Sequence, residues 1–187
     1  MNKPRLLMIG AGSIGLELLK RLVFDYSMTC LDMDASRIEE AAGLRLKDVT
    51  CRQGDATSRM VLEQAGAAEA DTAVITIAKE KVNLEIARVL REGFGNKRII
   101  SIGITPHGID ILESMQVQVV NIFTSSAFGI INALRQHART AHGIGLNQTE
   151  IREVEVRSGS KLANRPLETI KPVNWNVGII YRDNHIV

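Results

Sequence analysis

Short, nearly continuous apolar runs alternate with longer amphipathic segments over the first 122 residues of the chain. Runs rich in Val, Ile and Leu are typical of parallel strands that helices cover on both faces. In the first longer segment Ile14, Leu18 and Leu22 recur at helical spacing, and Lys20 lies on the opposite face. This alternation predicts an α/β protein with a doubly wound parallel sheet. The predicted strands are Arg5–Ile9, Met28–Asp32, Asp48–Arg52, Asp71–Ile77, Arg98–Ile102 and Val117–Ile122, and the predicted helices begin near Ser13, Ala35, Ser58, Glu80 and Gly108.

A further helical pattern follows the last of these strands. It extends over residues 125–142, and the residues on its apolar side are Phe128, Ile130, Ile131 and Leu134. These side chains supply more apolar surface than a linker helix needs, so we expect a crossover helix between two subunits. Packing on its own domain is the simpler alternative. Gly143-Ile144-Gly145 is expected to end the helix and form a linker.

The remaining residues have a different pattern. Ile151–Val156 alternates apolar and charged residues, as a half-exposed strand does. Val177–Tyr181 and His185–Val187 flank a turn-like tripeptide and predict a hairpin. We therefore expect two domains, at 1–142 and 147–187. The second is a small, incomplete β-rich module that is too short to bury an ample core by itself.

Composition narrows the class of protein. Of the 187 residues 45% are hydrophobic and 24% charged, with a formal net charge of +2, which is typical of a globular protein. Apolar runs fall short of the ~20 residues that a membrane span needs, and no signal peptide is visible. The two cysteines are expected to be reduced, buried thiols. The sequence has no basic patch, so nucleic-acid binding is not expected. We expect a soluble cytoplasmic protein.

The strongest local motif is a glycine loop between the first strand and the first helix. Gly10, Gly12 and Gly15 match the pattern G-x-G-x-x-G. The first glycine allows a tight turn, the second allows close approach of a pyrophosphate, and the third allows close packing of helix on strand. Asp32 ends the second strand, where an acidic residue binds ribose hydroxyls in dinucleotide sites. Together these features predict a nucleotide site at the helix N-terminus.

Other polar positions lie at the carboxyl ends of the predicted strands, where open α/β sheets bind ligands. Asp34 and Asp55 are candidate ligand contacts, with helix capping an equal alternative. Arg37 and Lys79 are candidate contacts or simply solvated. Two acids at one strand end disfavour a 2′-phosphate, and hence NADP. The predicted cofactor site comprises Gly10, Gly12, Ser13, Ile14, Gly15, Asp32, Met33, Asp34, Arg37, Asp55, Ala56, Thr76, Ile77, Ala78 and Lys79.

Six motifs occur in the order seen in one family: Gly10–Gly15, Leu31–Asp34, Gly54–Ala56, Val61–Gly66, Glu69–Asp71 and Asn83-Leu84. Over residues 1 to about 140 the chain resembles the Trk-type, KTN/RCK family of cytoplasmic regulators of potassium channels and transporters. The segments Gly159–Leu167 and Ile179–Asn184 resemble the first half of that family's small C-terminal domain. The basic segment Ala78–Lys81 departs from many relatives, which are acidic there.

The resemblance implies a Rossmann-like fold and a ligand-sensing regulatory subunit. Relatives with arginine directly after the second glycine of the loop can hold a terminal phosphate, whereas this chain has Ser13 there. This favours NAD or NADH over the alternative, ATP or ADP. The implied partner is an integral-membrane potassium transporter or channel, to which a homo-oligomer would bind at the inner face of the membrane. A dimer would be its basic unit, with a larger ring as an alternative.

Catalysis is the main competing function. A dehydrogenase needs a proton donor or acceptor beside the nicotinamide, and of the four histidines only His107 follows a predicted strand at the ligand edge. No Tyr-x-x-x-Lys pair and no metal-ligand spacing is present. We therefore expect no catalytic residue, no metal and no enzymatic activity. An NAD-dependent oxidoreductase is the alternative, and a nucleic-acid-binding repressor ranks last.

Overall fold

A six-stranded parallel sheet forms the framework of the first part of the chain. The computed structural model describes residues 3–95, 98–134, 138–144, 149–170, 176–182 and 185–186. The sheet order is β3-β2-β1-β4-β5-β6, and every pair is parallel. The elements are β1 (Arg5–Ile9), α1 (Ser13–Leu22), β2 (Ser27–Asp32), α2 (Ala35–Gly43), β3 (Val49–Gln53), α3 (Arg59–Gln64), β4 (Thr72–Ile75), α4 (Glu80–Phe94), β5 (Arg98–Gly103), α5 (Pro106–Ser114), β6 (Gln118–Asn121), α6 (Ile122–Leu134), β7 (Ala138–Ile144), β8 (Thr149–Val154), β9 (Tyr181–Arg182) and β10 (His185–Ile186).

Two hydrophobic cores lie on opposite faces of this sheet. In β1, Leu7 and Ile9 pack into one core with residues of α3, α4 and α5, whereas Leu6 and Met8 pack into the other with residues of α1 and α2. Successive residues of a strand point to opposite faces, so one continuous apolar run supplies both cores. Full burial of each such side chain stabilises the fold by about 1.5–3 kcal/mol. The predicted doubly wound, Rossmann-like α/β fold is confirmed.

The centre of the sheet creates the crevice in which a ligand would bind. β1 and β4 are neighbours, but α1 packs on one face of the sheet and α4 on the other. The Thr76 N–H still donates to the Ile9 carbonyl, at 2.8 Å, just beyond β4. The chain therefore diverges to both sides at the carboxyl ends of these two strands, which is the topological switch point of such folds.

The helix predicted over residues 125–142 is wrong in its extent. The structure has α6 at Ile122–Leu134, and Ala138–Ile144 is a strand that pairs with β8 in antiparallel register. Residues 135–142 contain no large apolar side chain that could continue the helical stripe. Pairing with β8 instead satisfies the backbone of this segment. Gly143 and Ile144 are therefore part of β7 and do not end a helix, and Gly145 lies outside the described residues.

Beyond Ala127 the chain forms a second structural unit, which contains two short antiparallel ladders. The first joins β7 and β8, with an irregularity in register between Ala141 and Ile144. The second joins β9 and β10 at the position of the predicted hairpin, whose turn residues 183–184 lie outside the described residues. The domain ranges 1–142 and 147–187 stay a prediction.

Candidate functional site

The glycine loop begins with a turn that requires glycine. Gly10 has φ +105°, a conformation that side-chain-bearing residues rarely adopt. Its N–H donates to the Leu31 carbonyl at 2.8 Å, which keeps β1 paired with β2 up to the turn. A Cβ at Gly10 would lie 2.7 Å from the Thr76 hydroxyl oxygen. Both the conformation and the available space therefore exclude a larger residue.

The other two glycines of the loop have opposite surroundings. A Cβ at Gly15 would overlap the carbonyl oxygen of Gly10, so only glycine lets α1 lie this close to the loop. A Cβ at Gly12 would meet nothing nearer than an Arg37 guanidinium nitrogen at 4.0 Å. Gly12 is also the N-cap of α1 and provides no side-chain cap. The first N–H groups of α1 have no acceptor within the helix. They therefore face open space beside Gly12.

Asp32 is fixed beside the loop by two backbone hydrogen bonds. One carboxylate oxygen accepts from the Ala11 N–H at 2.7 Å, and the other accepts from the Asp34 N–H at 2.9 Å. The residue is only 7% exposed. A carboxylate has about four acceptor positions, so these two bonds leave capacity for further donors. The Asp32 carboxylate can therefore accept hydrogen bonds from ribose hydroxyls.

Asp34 caps α2, as its alternative role predicts. Its carboxylate accepts from the backbone N–H and the hydroxyl of Ser36, at 2.9 and 2.8 Å. These hydrogen bonds, helped by the nearby charge of Arg37, lower the pKa of Asp34. Arg37 lies 3.8 Å from a carboxylate oxygen of Asp32 and 3.8 Å from one of Asp34. The end of β2 is therefore a small cluster of two carboxylates and one half-exposed guanidinium.

Thr76 holds the loop in place. Its hydroxyl lies 3.0 Å from the carbonyl oxygen of Gly10 and 3.2 Å from that of Ile9, and the residue is buried. The hydroxyl therefore ties the end of β4 to the glycine turn. Ile77 lies next to it, within 3.3 Å of the position of a Cβ on Gly10. Both residues are predicted ligand contacts, and in the structure they support the loop.

The junction of β4 and α4 forms the second side of the crevice. Ala78 and Lys79 are exposed there, and Lys79 is an N-cap without a side-chain cap bond. The Asn83 amide nitrogen donates to the Ile77 carbonyl at 2.7 Å and braces this loop. Its amide oxygen is buried and has no hydrogen-bond partner among the described residues. Lys79 is the residue here that is free to reach a ligand.

A link between the β4–α4 and β5–α5 loops was missed by sequence reasoning. The Glu80 carboxylate accepts from the backbone N–H and the hydroxyl of Thr105, at 2.9 and 2.7 Å. These bonds, together with the charge of His107, lower the pKa of Glu80. The sequence Thr105-Pro106 signals the start of a helix, but nothing local signals a bond to a residue 25 positions earlier.

The remaining predicted contacts have mainly local roles. Asp55 accepts from the N–H and hydroxyl of Thr57, at 2.9 and 2.8 Å, and so closes a turn ahead of α3. The capping alternative is wrong for Asp55, because the N-cap of α3 is Ser58. Ala56 is packed in the core. Met33 is exposed, and its carbonyl accepts from the Gln53 amide at 3.3 Å. Hydrogen bonds and ion pairs thus bring together the glycine loop, Asp32, Asp34, Arg37 and Thr76. Among the described residues, no such contact joins Asp55, Ala78 or Lys79 to this group.

Other features of the described residues do not compete with this site. A surface cavity of about 510 Å³ lies at the amino ends of β1 and β2, lined by Arg5, Ser27, Glu69 and their neighbours, and none of the predicted site residues lines it. The cysteines are register neighbours on β2 and β3, and burial raises the pKa of the Cys30 thiol to about 12. Over the described part of the chain, no cluster of three or more metal-ligating residues is found.

Comparison with known families identifies the domain. The profile of the TrkA-N domain matches residues 6–122, which is more than half of the chain. The chain belongs to the TrkA-N family. The match begins in β1 and extends through β6, so this TrkA-N domain contains the whole parallel sheet and the glycine loop.

Two curated relatives are potassium-transport proteins. The chain is 30% identical over 154 residues to the glutathione-regulated potassium-efflux system protein KefC of Enterobacter, covering 81% of this chain and 23% of KefC. It is 26% identical over 195 residues to a Trk system potassium uptake protein TrkA homolog of Archaeoglobus fulgidus, covering 97% of this chain and 42% of the homolog. The chain thus spans less than half the length of these relatives.

Solved structures share the fold. The TrkA-N domain of the inner membrane protein ybaL from Escherichia coli superimposes with a TM-score of 0.63 at 21% identity, over 71% of this chain and 98% of that one. Kef CTD from Shewanella denitrificans, in an AMP-bound form, gives 0.59 at 25% identity, over 70% and 79%. The GsuK channel bound to NAD gives 0.59 at 15% identity, over 76% and 28%.

Proposed function

We propose that this TrkA-N chain is a nucleotide-sensing regulatory component of a potassium transport system. The observation that carries the proposal is the uncapped start of α1 beside Gly12, with the Asp32 carboxylate fixed next to it. Helix N–H groups and the helix dipole bind phosphate, and the carboxylate binds ribose hydroxyls. Potassium-transport relatives support the regulatory role.

The proposed ligand is NAD or NADH, with ATP or ADP as the alternative. Two of the matched structures contain AMP and NAD, which share an adenosine 5′-phosphate. Ser13, directly after the second glycine of the loop, offers no cation for a terminal phosphate, and this favours NAD or NADH. The predicted contacts that the structure leaves exposed, among them Ser13, Ala78 and Lys79, would complete the site.

We propose that the chain acts as a homo-oligomer through α6. This 13-residue helix has no charged residue. Phe123, Ile130 and Leu134 share one face at spacings of seven and four residues, and they are 59%, 62% and 76% exposed. Phe128 and Ile131, which were predicted for this contact, are less exposed. Nucleotide-dependent rearrangement of paired domains would then bias a membrane partner.

The proposed role is regulatory rather than catalytic, at the inner face of a membrane through that partner. Within the part of the chain that the structure describes, none of the helices has the length and apolar character of a membrane span. His107, the base that an oxidoreductase would use, is exposed in the first turn of α5 and lies near Glu80. Turnover of a hydroxy or keto substrate with NAD(H) would contradict the regulatory proposal.

Calorimetry with NAD, NADH, ADP and ATP tests the site. Asp32→Ala removes a charged acceptor for ribose, so affinity should fall by at least about tenfold. Asp25→Ala, an exposed aspartate between α1 and β2, is the matched control and should bind as the wild type does. Equal affinity of the Asp32→Ala variant and the wild type would remove the carboxylate from the site. Native mass spectrometry of the purified protein would report the bound nucleotide and the oligomer together.

Sedimentation velocity tests the assembly. Ile130→Asp with Leu134→Asp should give a monomer that still binds nucleotide, because each buried apolar side chain contributes about 1.5–3 kcal/mol to association. Phe24→Asp is the control, since Phe24 is 82% exposed and lies outside α6. A wild-type monomer at protein concentrations of tens of micromolar would contradict the proposed oligomer.

A further inference from the structure

Arg37 lies between two parts of the proposed nucleotide site. One guanidinium nitrogen is 3.8 Å from an Asp32 carboxylate oxygen, and another is 3.8 Å from an Asp34 oxygen. The first of these nitrogens is also the nearest atom, at 4.0 Å, to the position of a Cβ on Gly12. The guanidinium thus faces both the acids at the end of β2 and the loop before α1.

The contacts to the acids leave the guanidinium available. A distance of 3.8 Å exceeds that of a hydrogen bond, so these are ion pairs in which the N–H donors are not committed. The Arg37 side chain is 54% exposed, whereas that of Asp32 is 6% exposed. Asp32 is held by two backbone N–H groups and Asp34 by Ser36. The acids are fixed and the arginine is the member of the cluster that can change partner.

Charge gives a reason for such a change. The phosphate monoester of 5′-AMP carries a charge of about −1.5 to −2 at neutral pH, and each phosphate of NAD carries a single negative charge. At the start of α1 such a phosphate would lie close to two carboxylates, which repel it. Arg37 is the cation that the structure places against both the carboxylates and Gly12. A guanidinium also matches a phosphate geometrically, because two parallel N–H groups can bind two oxygens.

We propose that Arg37 recognises the 5′-phosphate of the nucleotide and so makes the site specific for phosphorylated adenosine. This inference rests on the proposed function. When the ribose hydroxyls bind Asp32, the guanidinium moves from the acids to the phosphate above Gly12. The position beside Gly12 points to the 5′-phosphate at α1, because a 2′-phosphate would face the buried, fixed carboxylate of Asp32.

Calorimetry with adenosine, 5′-AMP and 2′-AMP tests this role. The wild type should bind 5′-AMP more tightly than the other two ligands. Arg37→Gln should reduce the ratio of 5′-AMP affinity to adenosine affinity by about tenfold, since one charged hydrogen-bonding partner of the phosphate is lost. Arg88→Gln, an exposed arginine eight residues into α4, removes the same charge and should leave the ratio unchanged. Arg37→Lys should restore part of it.

The other outcomes overturn the inference in distinguishable ways. An equal loss for adenosine and 5′-AMP in Arg37→Gln would show that Arg37 only supports Asp32. A loss confined to 2′-AMP would show that it faces the ribose instead. A wild type that binds none of these three ligands, and none of NAD, NADH, ADP and ATP, would contradict the nucleotide site as a whole. An unchanged ratio in a wild type and variant that both bind nucleotide contradicts only the role of Arg37.

Discussion

Two helices begin at the same edge of the sheet with very different N-termini. α5 has a closed start: the Thr105 hydroxyl accepts from the Gly108 N–H at 3.1 Å, and Pro106 occupies the first turn, where it removes an N–H that would lack an acceptor. α1 has an open start, with Gly12 as a cap that has no side chain. Compared with glycine, an N-cap side chain such as that of threonine stabilises a helix by about a few tenths of a kcal/mol. The chain forgoes this stabilisation at α1 and keeps its N–H groups available.

The surroundings of the two starts show the same division. The closed start is bonded to its neighbour, because Thr105 also donates to Glu80 at the start of α4. The open start is supported from behind, by contacts of Thr76, Asp32 and Leu31 with the loop backbone. At the start of α5, side chains of the protein bind the free N–H groups and the neighbouring loop. At the start of α1, the protein packs behind the loop and leaves the space in front of the N–H groups open for a ligand.

The largest expected effect is on stability, and it comes from adding a methyl group at Gly15, where α1 packs against the glycine loop. Gly15→Ala should lower the free energy of unfolding by about 3 kcal/mol, because its Cβ would overlap the Gly10 carbonyl and no rotamer change can relieve a clash with backbone. Chemical denaturation measures the change. Gly43→Ala in α2 is the control. It meets no atom within 4 Å and should be neutral or stabilising by about 0.5–1 kcal/mol. Equal stability of the two variants would contradict the packing role of Gly15.

A side chain added at Gly12, the N-cap of α1, should affect nucleotide binding more than folding. Gly12→Val places its Cβ in open space. Valine is a poorer N-cap than glycine, so the unfolding temperature should fall by about a few degrees. The side chain would block a phosphate from the helix N–H groups, and affinity for NAD should fall by about tenfold or more. Calorimetry and thermal unfolding of the same sample separate the two effects. Unchanged affinity would mean that the glycine loop is only a turn.

Opening the closed start should reduce stability by a smaller amount. Thr105→Ala removes the cap of α5 and the hydroxyl donor to Glu80, and should cost about 1 kcal/mol in the free energy of unfolding. Thr105→Ser retains the oxygen and should recover most of this loss. If the serine variant is as unstable as the alanine variant, the methyl group and not the hydroxyl matters at this position.

The smallest expected effect is a pH dependence at the closed start. Hydrogen bonds from Thr105 hold the pKa of Glu80 below its ordinary value of 4.5. The ionised carboxylate therefore stabilises the folded state above that ordinary value, and this contribution is lost as the pH falls through the lower folded pKa. Glu80→Gln should be less stable than the wild type at pH 7, and the difference should disappear in acid. Urea denaturation from pH 7 to pH 3 measures it, and a difference independent of pH would contradict the role of charge.

The sequence pattern predicts the parallel sheet closely because each strand is a local feature. The run that becomes β1 is predicted at its observed bounds, and β2 differs by one residue at its start. Such runs must be buried on both faces, and the glycines between them set the turns. The glycine motif is local in the same way, since spacing alone indicates the turn at Gly10 and the close packing at Gly15. The structure places Asp32 beside this loop, and its contact with ribose stays a prediction.

Contacts between separate loops are not encoded locally, and there the sequence is a poor guide. Nothing near Thr76 indicates that its hydroxyl bonds the carbonyl of Gly10, and nothing near Glu80 indicates Thr105. The extent of α6 was mispredicted for a related reason: the pairing of Ala138–Ile144 with β8 decides the structure of a segment whose own pattern is ambiguous. The position of Arg37 over Gly12 likewise depends on how α2 returns along the sheet.

The sheet order has a consequence for the newly made chain. β1 lies inside the sheet yet is synthesised first, and its two partners emerge at very different times: β2 after one helix, and β4 only after three. Until β4 has left the ribosome, β1 has one unpaired edge. Leu7 and Ile9 stay exposed until the helices that cover them have formed. An unpaired edge beside exposed apolar side chains invites association with other chains. A nascent chain that ends before Thr72 is therefore expected to associate with other chains more readily than one that includes β4.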